Sequence, residues 1–424
     1  MAHNPNGLLV IPKDAKIKTY PNPHTKGKLD THRKTKGDLF PKPPALSDIK
    51  QGAIGDCYLL ASIMGILNSK DGPQKIEEMM LDDDGHIILR LYNSKKVARY
   101  LKIEKSVVYT WFTTDKKHAD SPLWVVMLEK GYAAFLGRKE QSLDKDYYTD
   151  LLGGGQCPTV ALAALLGGDT LSITSGEQGL SNIMKMFVGE LSEFQKLHIV
   201  PDAALCAAAL GEDNEEALKT WKAWAGTQDR GFSLFDAFTG KSLVRLEHFL
   251  KWFDNEVKSH PLDAKIVESI KTFIEGNNML AGKRGTGRYS AAMLEFYNQI
   301  KTALDKNQAV AISTKNMVGG ASGKKGTVGE PEWKGLYGKH AYAVLDAQEM
   351  AYPGNPDVTL KMILLRNPHG ETGRKYVWKL KDGVQVLSAK ETKDAQFWVD
   401  LSDAVKRFDR VSVGKDASET LKED

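Results

Sequence analysis

The stretch QGAIGDCYLLA, residues 51–61, decides how the rest of the chain is read. Leu59, Leu60, Ile63, Ile66 and Leu67 recur at helical spacing, so a helix begins at Asp56 or Cys57, with Asp56 as its N-cap. That puts the Cys57 thiol at a helix N-terminus, where unpaired N–H groups and the helix dipole favour a thiolate, the nucleophilic form. The glycines of QGAIGDC allow the tight turn that presents it there. Gln51 lies six residues upstream, near enough for its amide to join the Cys57 backbone N–H as an oxyanion-binding pair.

A thiol nucleophile needs a base and an orienter for that base. His340 stands in YGKHAYAVLDA at the start of an apolar β-type run, from which a histidine can reach across a cleft. His3, His24, His32, His86, His118 and His260 lie in polar or terminal text. Asn367 closes the run KMILLRN and opens NPHGE, where its amide oxygen can hold one imidazole tautomer. Each residue is weak alone, but the order Cys, His, Asn is the order of a nucleophile with its base and orienter. Cys157 and Cys206 sit in apolar, Ala-rich text and read as packing residues.

Composition sets outer bounds. The chain has 424 residues, 42% hydrophobic and 26% charged, with a net charge of +4, close to an ordinary globular protein. Basic and acidic residues are interleaved, which argues against nucleic-acid binding. No apolar run approaches a membrane span, and the first residues lack the order of a secretory signal. Three cysteines make no disulfide framework and suit a reducing compartment. The expected location is cytoplasmic, or exported without a cleavable signal.

Along the chain, residues 1–40 are rich in Pro, Lys, His and Thr without a hydrophobic period. Between residues 13 and 36 there are eight Lys/Arg against two Asp, and the segment is expected to be flexible, either a solvated tail, a pro-segment or a docking arm. Strand-like text occupies 87–92 and 100–108, and LWVVMLEKGYAAFL, 123–136, reads as a buried helix. Residues 41–165 form the Cys-bearing helical lobe, 166–230 a helical insertion, 231–412 a β-rich lobe carrying His340 and Asn367, and 413–424 a polar tail. A helix is expected at 291–305, then strands through AVAIST, HAYAVLDAQ, VTLKMILLRN and KYVWKL. The fold class is therefore α+β.

QGAIGDCYLLA resembles the active-site motif of the calpain cysteine proteases, GKHAYAV their histidine block and RNPHGE their asparagine block. PLWVVMLEKGYAAFLG, LLGGG, FDAFTG and AQFWVDLSDAVKRFDRV extend the resemblance from about residue 46 to 412. It implies a two-lobed papain-like core, with Cys57 on the helical lobe and His340 and Asn367 on the β-rich lobe. It also implies hydrolysis of peptide bonds in protein or peptide substrates through an acyl-thioester, with Gln51 and the Cys57 N–H as the oxyanion hole. The sequence departs from the family at Tyr58 and His369, where Trp is usual, and in the longer stretch between Cys57 and His340. No C2-like or EF-hand module follows the core, so calcium dependence is not carried over, and the chemistry needs no cofactor. Two rival readings use the same residues: a deamidase or transamidase effector, and a catalytically weak binding scaffold of the same fold.

Other motifs carry less. SGKKGT lacks the first Gly and the Ser or Thr of a phosphate loop, and neither H-E-x-x-H nor C-x-x-C occurs to hold zinc. LDDDGH, 81–86, reads as a solvated turn rather than a cation site. No nucleic-acid or membrane partner is expected, and oligomeric state is not legible.

Overall fold

A computed structural model describes residues 4–23, 32–52, 54–108, 122–137, 147–174, 258, 289, 291–314, 332–333, 335–352, 355–371, 373–381, 384–401, 404 and 407–417. FDAFTG, Cys206 and the helices expected between 175 and 230 lie outside them. The fold is α+β, organised around two hydrophobic cores, the first drawn mainly from residues before 167 and the second mainly from residues after 290.

The first core gathers the front of the chain. Helix α1 (Cys57–Asn68) is buried along nearly its whole length, as a helix apolar on all sides must be. Helices α2 (Gly72–Glu77), α3 (Leu123–Gly137) and α4 (Pro158–Leu166) surround it, with a wide helical turn at Tyr147–Leu152. A small sheet closes this side. Its strands are β1 (Ile17–Thr19), β3 (Met80–Asp83), β4 (His86–Tyr92) and β5 (Ala98–Glu104), in the order β1-β5-β4-β3. In the LDDDGH turn, Asp82 and Asp83 pair with Lys105 and Lys102, so ammonium groups sit where a cation would.

The second core is built on a six-stranded sheet. Its strands are β7 (Gly167–Thr174), β8 (Ala309–Thr314), β11 (Ala341–Tyr352), β12 (Asn355–Arg366), β15 (Gln396–Asp400) and β16 (Phe408–Asp416). They run in the order β15-β12-β11-β8-β16-β7, while β9 (Glu332–Trp333) with β10 (Leu336–Tyr337), and β13 (Gly373–Lys381) with β14 (Val384–Thr392), form separate two-stranded pairs. Helix α5 (Ala291–Asp305) packs on one face and α1 on the other. The alternation in AVAI and AYAV explains how one sheet serves both helices. Ala309, Ala311, Ala341 and Ala343 face the first core, while Val310, Ile312, Tyr342 and Val344 fill the second. Small residues on one side let α1 lie close to the strands. At Gly65 of α1 a Cβ would come within 2.8 Å of the Val310 carbonyl oxygen.

Two expectations need correction. The described parts of residues 1–40 are not a free tail. Strand β1 pairs with β5, and β2 (His32–Lys34) pairs with β6 (Ser106–Val108). Leu9, Leu39 and Phe40 are buried, and the Leu8 N–H donates to the Glu77 carbonyl at 2.9 Å. Scattered apolar residues in polar text found an apolar surface and an open sheet edge, which no period in the sequence advertises. The expected helical insertion from 166 is likewise wrong at its start, because 167–174 is strand β7, paired with β16. Gly167, at φ +74°, ends α4 and turns the chain into it.

One buried cation ties the N-terminal strands to the core. The Lys130 ammonium, on α3, donates to the Glu104 carbonyl at 2.8 Å, the Ser106 carbonyl at 3.0 Å and the Ser106 hydroxyl at 2.6 Å. All three of its protons are used. Burial draws this lysine down to about 7, with Glu104 pulling the other way. Lys130→Met keeps the stem but strands three acceptors, and is expected to cost about 2–4 kcal/mol in urea unfolding. A loss within about 0.5 kcal/mol would mean the three bonds contribute little.

Candidate active site

Cys57 is the first residue of α1, and Asp56 is its N-cap by position only. The Asp56 side chain makes no capping bond. It is wholly buried and faces Glu129 of α3, whose carboxyl acts on it through a hydrogen bond. The Leu59 and Leu60 N–H groups donate to the Asp56 carbonyl at 2.9 and 3.1 Å, so the start of α1 is closed by the Asp56 backbone rather than by its side chain. At Gly55 a Cβ would come within 2.6 Å of the Gly153 carbonyl oxygen, so the turn before Cys57 touches the Gly153–Gly155 stretch backbone to backbone.

Across from Cys57, His340 precedes β11 and is held by β8. Its N–H donates to the Thr314 hydroxyl at 2.9 Å, and its carbonyl accepts from the Thr314 N–H at 2.8 Å. Its ring Nε2 lies 2.9 Å from Asn367 Oδ1. The direction of that bond follows from the other partners of the amide. Asn367 Nδ2–H donates to the Glu371 carbonyl at 3.1 Å, and Oδ1 accepts the His369 N–H at 3.0 Å. Backbone groups thus fix which end of the amide is oxygen, so Nε2 must carry the proton and Nδ1 the lone pair of the neutral ring. His340 and Asn367 are 1% and 0% exposed, so bulk water does not compete for the bond.

His369 packs against this pair. Its ring lies 4.5 Å from that of His340, tilted by 44°, and Tyr337 stands edge-on to both. Tyr342 closes another side at 4.9 Å. Tyr337, Tyr342 and His369 thus flank the His340 ring.

Cys57 and His340 line one cleft of about 620 Å³. Gly153–Gly155 and Cys157 form part of its wall, with Lys339 and Arg410 as its cations. Asn367 stands behind His340, outside the cleft lining. Gln51 is 6% exposed and also behind the wall, with one amide N–H donating to the Ile54 carbonyl at 2.8 Å. Its backbone N–H donates to the Pro368 carbonyl at 2.7 Å, which joins the Cys57 loop to the Asn367 loop directly.

Cys157 is not the packing residue expected of it. It is half-buried at the N-cap of α4, and its sulfur lies 3.2 Å from the Thr159 hydroxyl, 3.6 Å from the Ser412 hydroxyl and 3.7 Å from Arg410 Nη1. Burial pushes the thiol up, but these bonds outweigh it and hold Cys157 below the ordinary thiol range. A polar neighbourhood drawn from β16, about 250 residues away in sequence, left no local signal beside an Ala-rich helix.

Among the described residues no group of three or more His, Cys, Asp or Glu is arranged to hold a metal ion, and no helix is long and apolar enough to cross a membrane. Compared with known proteins, the chain matches the calpain family cysteine protease pattern over residues 30–188 and 262–415, well over half its length. It is 31% identical over 86 residues to calpain-8 of Homo sapiens, a stretch covering 18% of this chain and 12% of that protein.

Proposed function

The chain belongs to the calpain family of cysteine proteases, and from that premise we propose that it is an endopeptidase working through Cys57, His340 and Asn367 on a two-lobed papain-like core. The observation that carries this reading is that Cys57 and His340 share one cleft while Asn367 holds the far side of the His340 ring at 2.9 Å.

In this reading His340 Nδ1 takes the Cys57 proton, and the thiolate attacks the scissile carbonyl. Asn367 keeps Nε2 protonated, so the ring is always presented with its lone pair toward the nucleophile. The oxyanion forms against the Cys57 N–H, and the second N–H of the Gln51 amide joins it once that side chain, held behind the wall by Ile54, turns into the cleft. His340 then protonates the leaving amine. Water attacks the acyl-thioester, with His340 again as base, and the acid product leaves. The two hydrophobic cores would be the two lobes, and the Gln51–Pro368 bond would hold them in register beside the site.

These steps require no cofactor. Substrates are proteins or peptides.

The test is the product. Purified chain incubated with an unfolded protein such as casein is expected to give new N-termini in tandem mass spectrometry. A gain of about one dalton at Gln, or an isopeptide cross-link, without chain scission would replace hydrolysis by deamidation or transamidation. The absence of all three would favour the binding scaffold.

A further inference from the structure

We propose that Arg410 is a specificity-determining residue of the cleft, selecting peptides that carry an Asp or Glu side chain within about three residues of the scissile bond. This rests on the endopeptidase reading and adds the substrate class.

The cleft is positively charged where Arg410 stands. The described residues lining the cleft include two cations, Lys339 and Arg410, and no Asp or Glu. Arg410 has no carboxylate partner among the described residues. Its Nη1 meets only the Cys157 sulfur at 3.7 Å, and its buried Nε has no hydrogen-bond acceptor. A half-buried guanidinium in that condition has spare donors in a fixed planar fork, the geometry that takes a carboxylate through two parallel bonds. The N-terminus of α4 opens at Cys157 on the same wall and adds positive potential.

Arg410 also stands two strands away from the base. Ser313 of β8 pairs with Ala341 of β11 on one side and with Arg410 of β16 on the other. Strands stand about 4.8 Å apart, so the Arg410 backbone lies about 10 Å from Ala341, the neighbour of the base. An extended peptide advances about 3.3–3.6 Å per residue, which makes that gap about three residues. Arg410 is thus near enough to read a substrate side chain and too far to take part in the bond-breaking step.

Cys157 is what occupies the guanidinium while no substrate is bound. It is a weak partner that an incoming carboxylate displaces, since N–H bonds to oxygen anions are shorter and stronger than those to sulfur.

The experiment is a mixed peptide library cleaved by the full chain, with sites read by mass spectrometry. Asp and Glu are expected to be enriched within three positions of the cut. Cleavage with no acidic preference would overturn this proposal and leave the endopeptidase reading standing, whereas no cleavage at all would end both. Matched peptides differing only by Glu or Lys at the enriched position then test the residue. The ratio of their kcat/KM values is expected to fall at least about tenfold in Arg410→Glu. Should that variant fail to fold, Arg410→Gln is expected to bring the ratio toward one, and an unchanged ratio in a folded Arg410 variant would refute the assignment.

Discussion

Replacing Cys57 with alanine is expected to lower peptide cleavage by at least about a thousandfold while leaving the fold intact. The size follows from the chemistry. Without sulfur no acyl-enzyme forms, and the His340–Asn367 pair and the oxyanion donors can only assist direct attack by water, which is far slower. The structural cost is small, because only one sulfur atom is removed from a residue that is 7% exposed at the edge of a cleft. Far-ultraviolet circular dichroism and the urea midpoint should therefore match the unmodified chain. A thiol-directed inhibitor gives the complementary result, but its site has to be mapped. Cys157 lines the same cleft, is more exposed, and is held below the ordinary thiol range by Thr159, Ser412 and Arg410. Iodoacetamide uptake alone would count Cys57, Cys157 and Cys206 together. Peptide mapping with Cys157→Ser as background isolates Cys57, and residual cleavage by Cys57→Ala above a few per cent would remove it from the nucleophile's role.

Much of this arrangement was legible because the chemistry constrains short stretches. Helix α1 begins where QGAIGDCYLLA predicts, α5 spans the expected residues, and β8 and β11 follow the runs AVAIST and HAYAV. Local propensity and period decide such elements, and Cys57 and His340 do meet in one cleft. What stayed hidden depends on partners remote in sequence. Nothing in IKT or HRK announces a strand, and β1 and β2 exist because β5 and β6 offer them open edges. The alternation of alanine with larger residues in AVAI and AYAV was visible, yet its meaning appears only once α1 is known to lie on the alanine side. Cys157 looked apolar from its neighbours in sequence and is polar from its neighbours in space.

The widest gap between sequence and structure is Asp56, and it leads to the second large expected effect. As an N-cap, its carboxylate would face the first turn of α1. Instead both its oxygens are buried, with no side-chain donor among the described residues unless the Glu129 carboxyl holds a proton. Burial, then the charge of Asp56, then the hydrogen bond to it raise Glu129 well above the ordinary carboxylate range. Burial raises Asp56 too, and Glu129, its own backbone and His340 pull it back. The pair thus keeps one proton, carried by Glu129, and one negative charge, on Asp56. Glu129→Leu removes the donor and leaves that charge unpaired beneath the nucleophile, at an expected cost of about 3–5 kcal/mol. Glu129→Gln keeps a neutral donor in the same shape and is expected to cost less than about 1 kcal/mol. The pH dependence separates this account from simple packing. Above the ordinary Glu value of 4.5 the unfolded chain has released a proton that folded Glu129 retains. The folded state then binds more protons, so stability falls as pH rises toward the raised value. Urea unfolding from about pH 5 to about pH 8 should show that decline in the unmodified chain and a shallower one in Glu129→Gln. Parallel slopes would mean that Glu129 releases its proton as readily in the folded chain as in the unfolded one, and that Asp56 is neutralised by some other group.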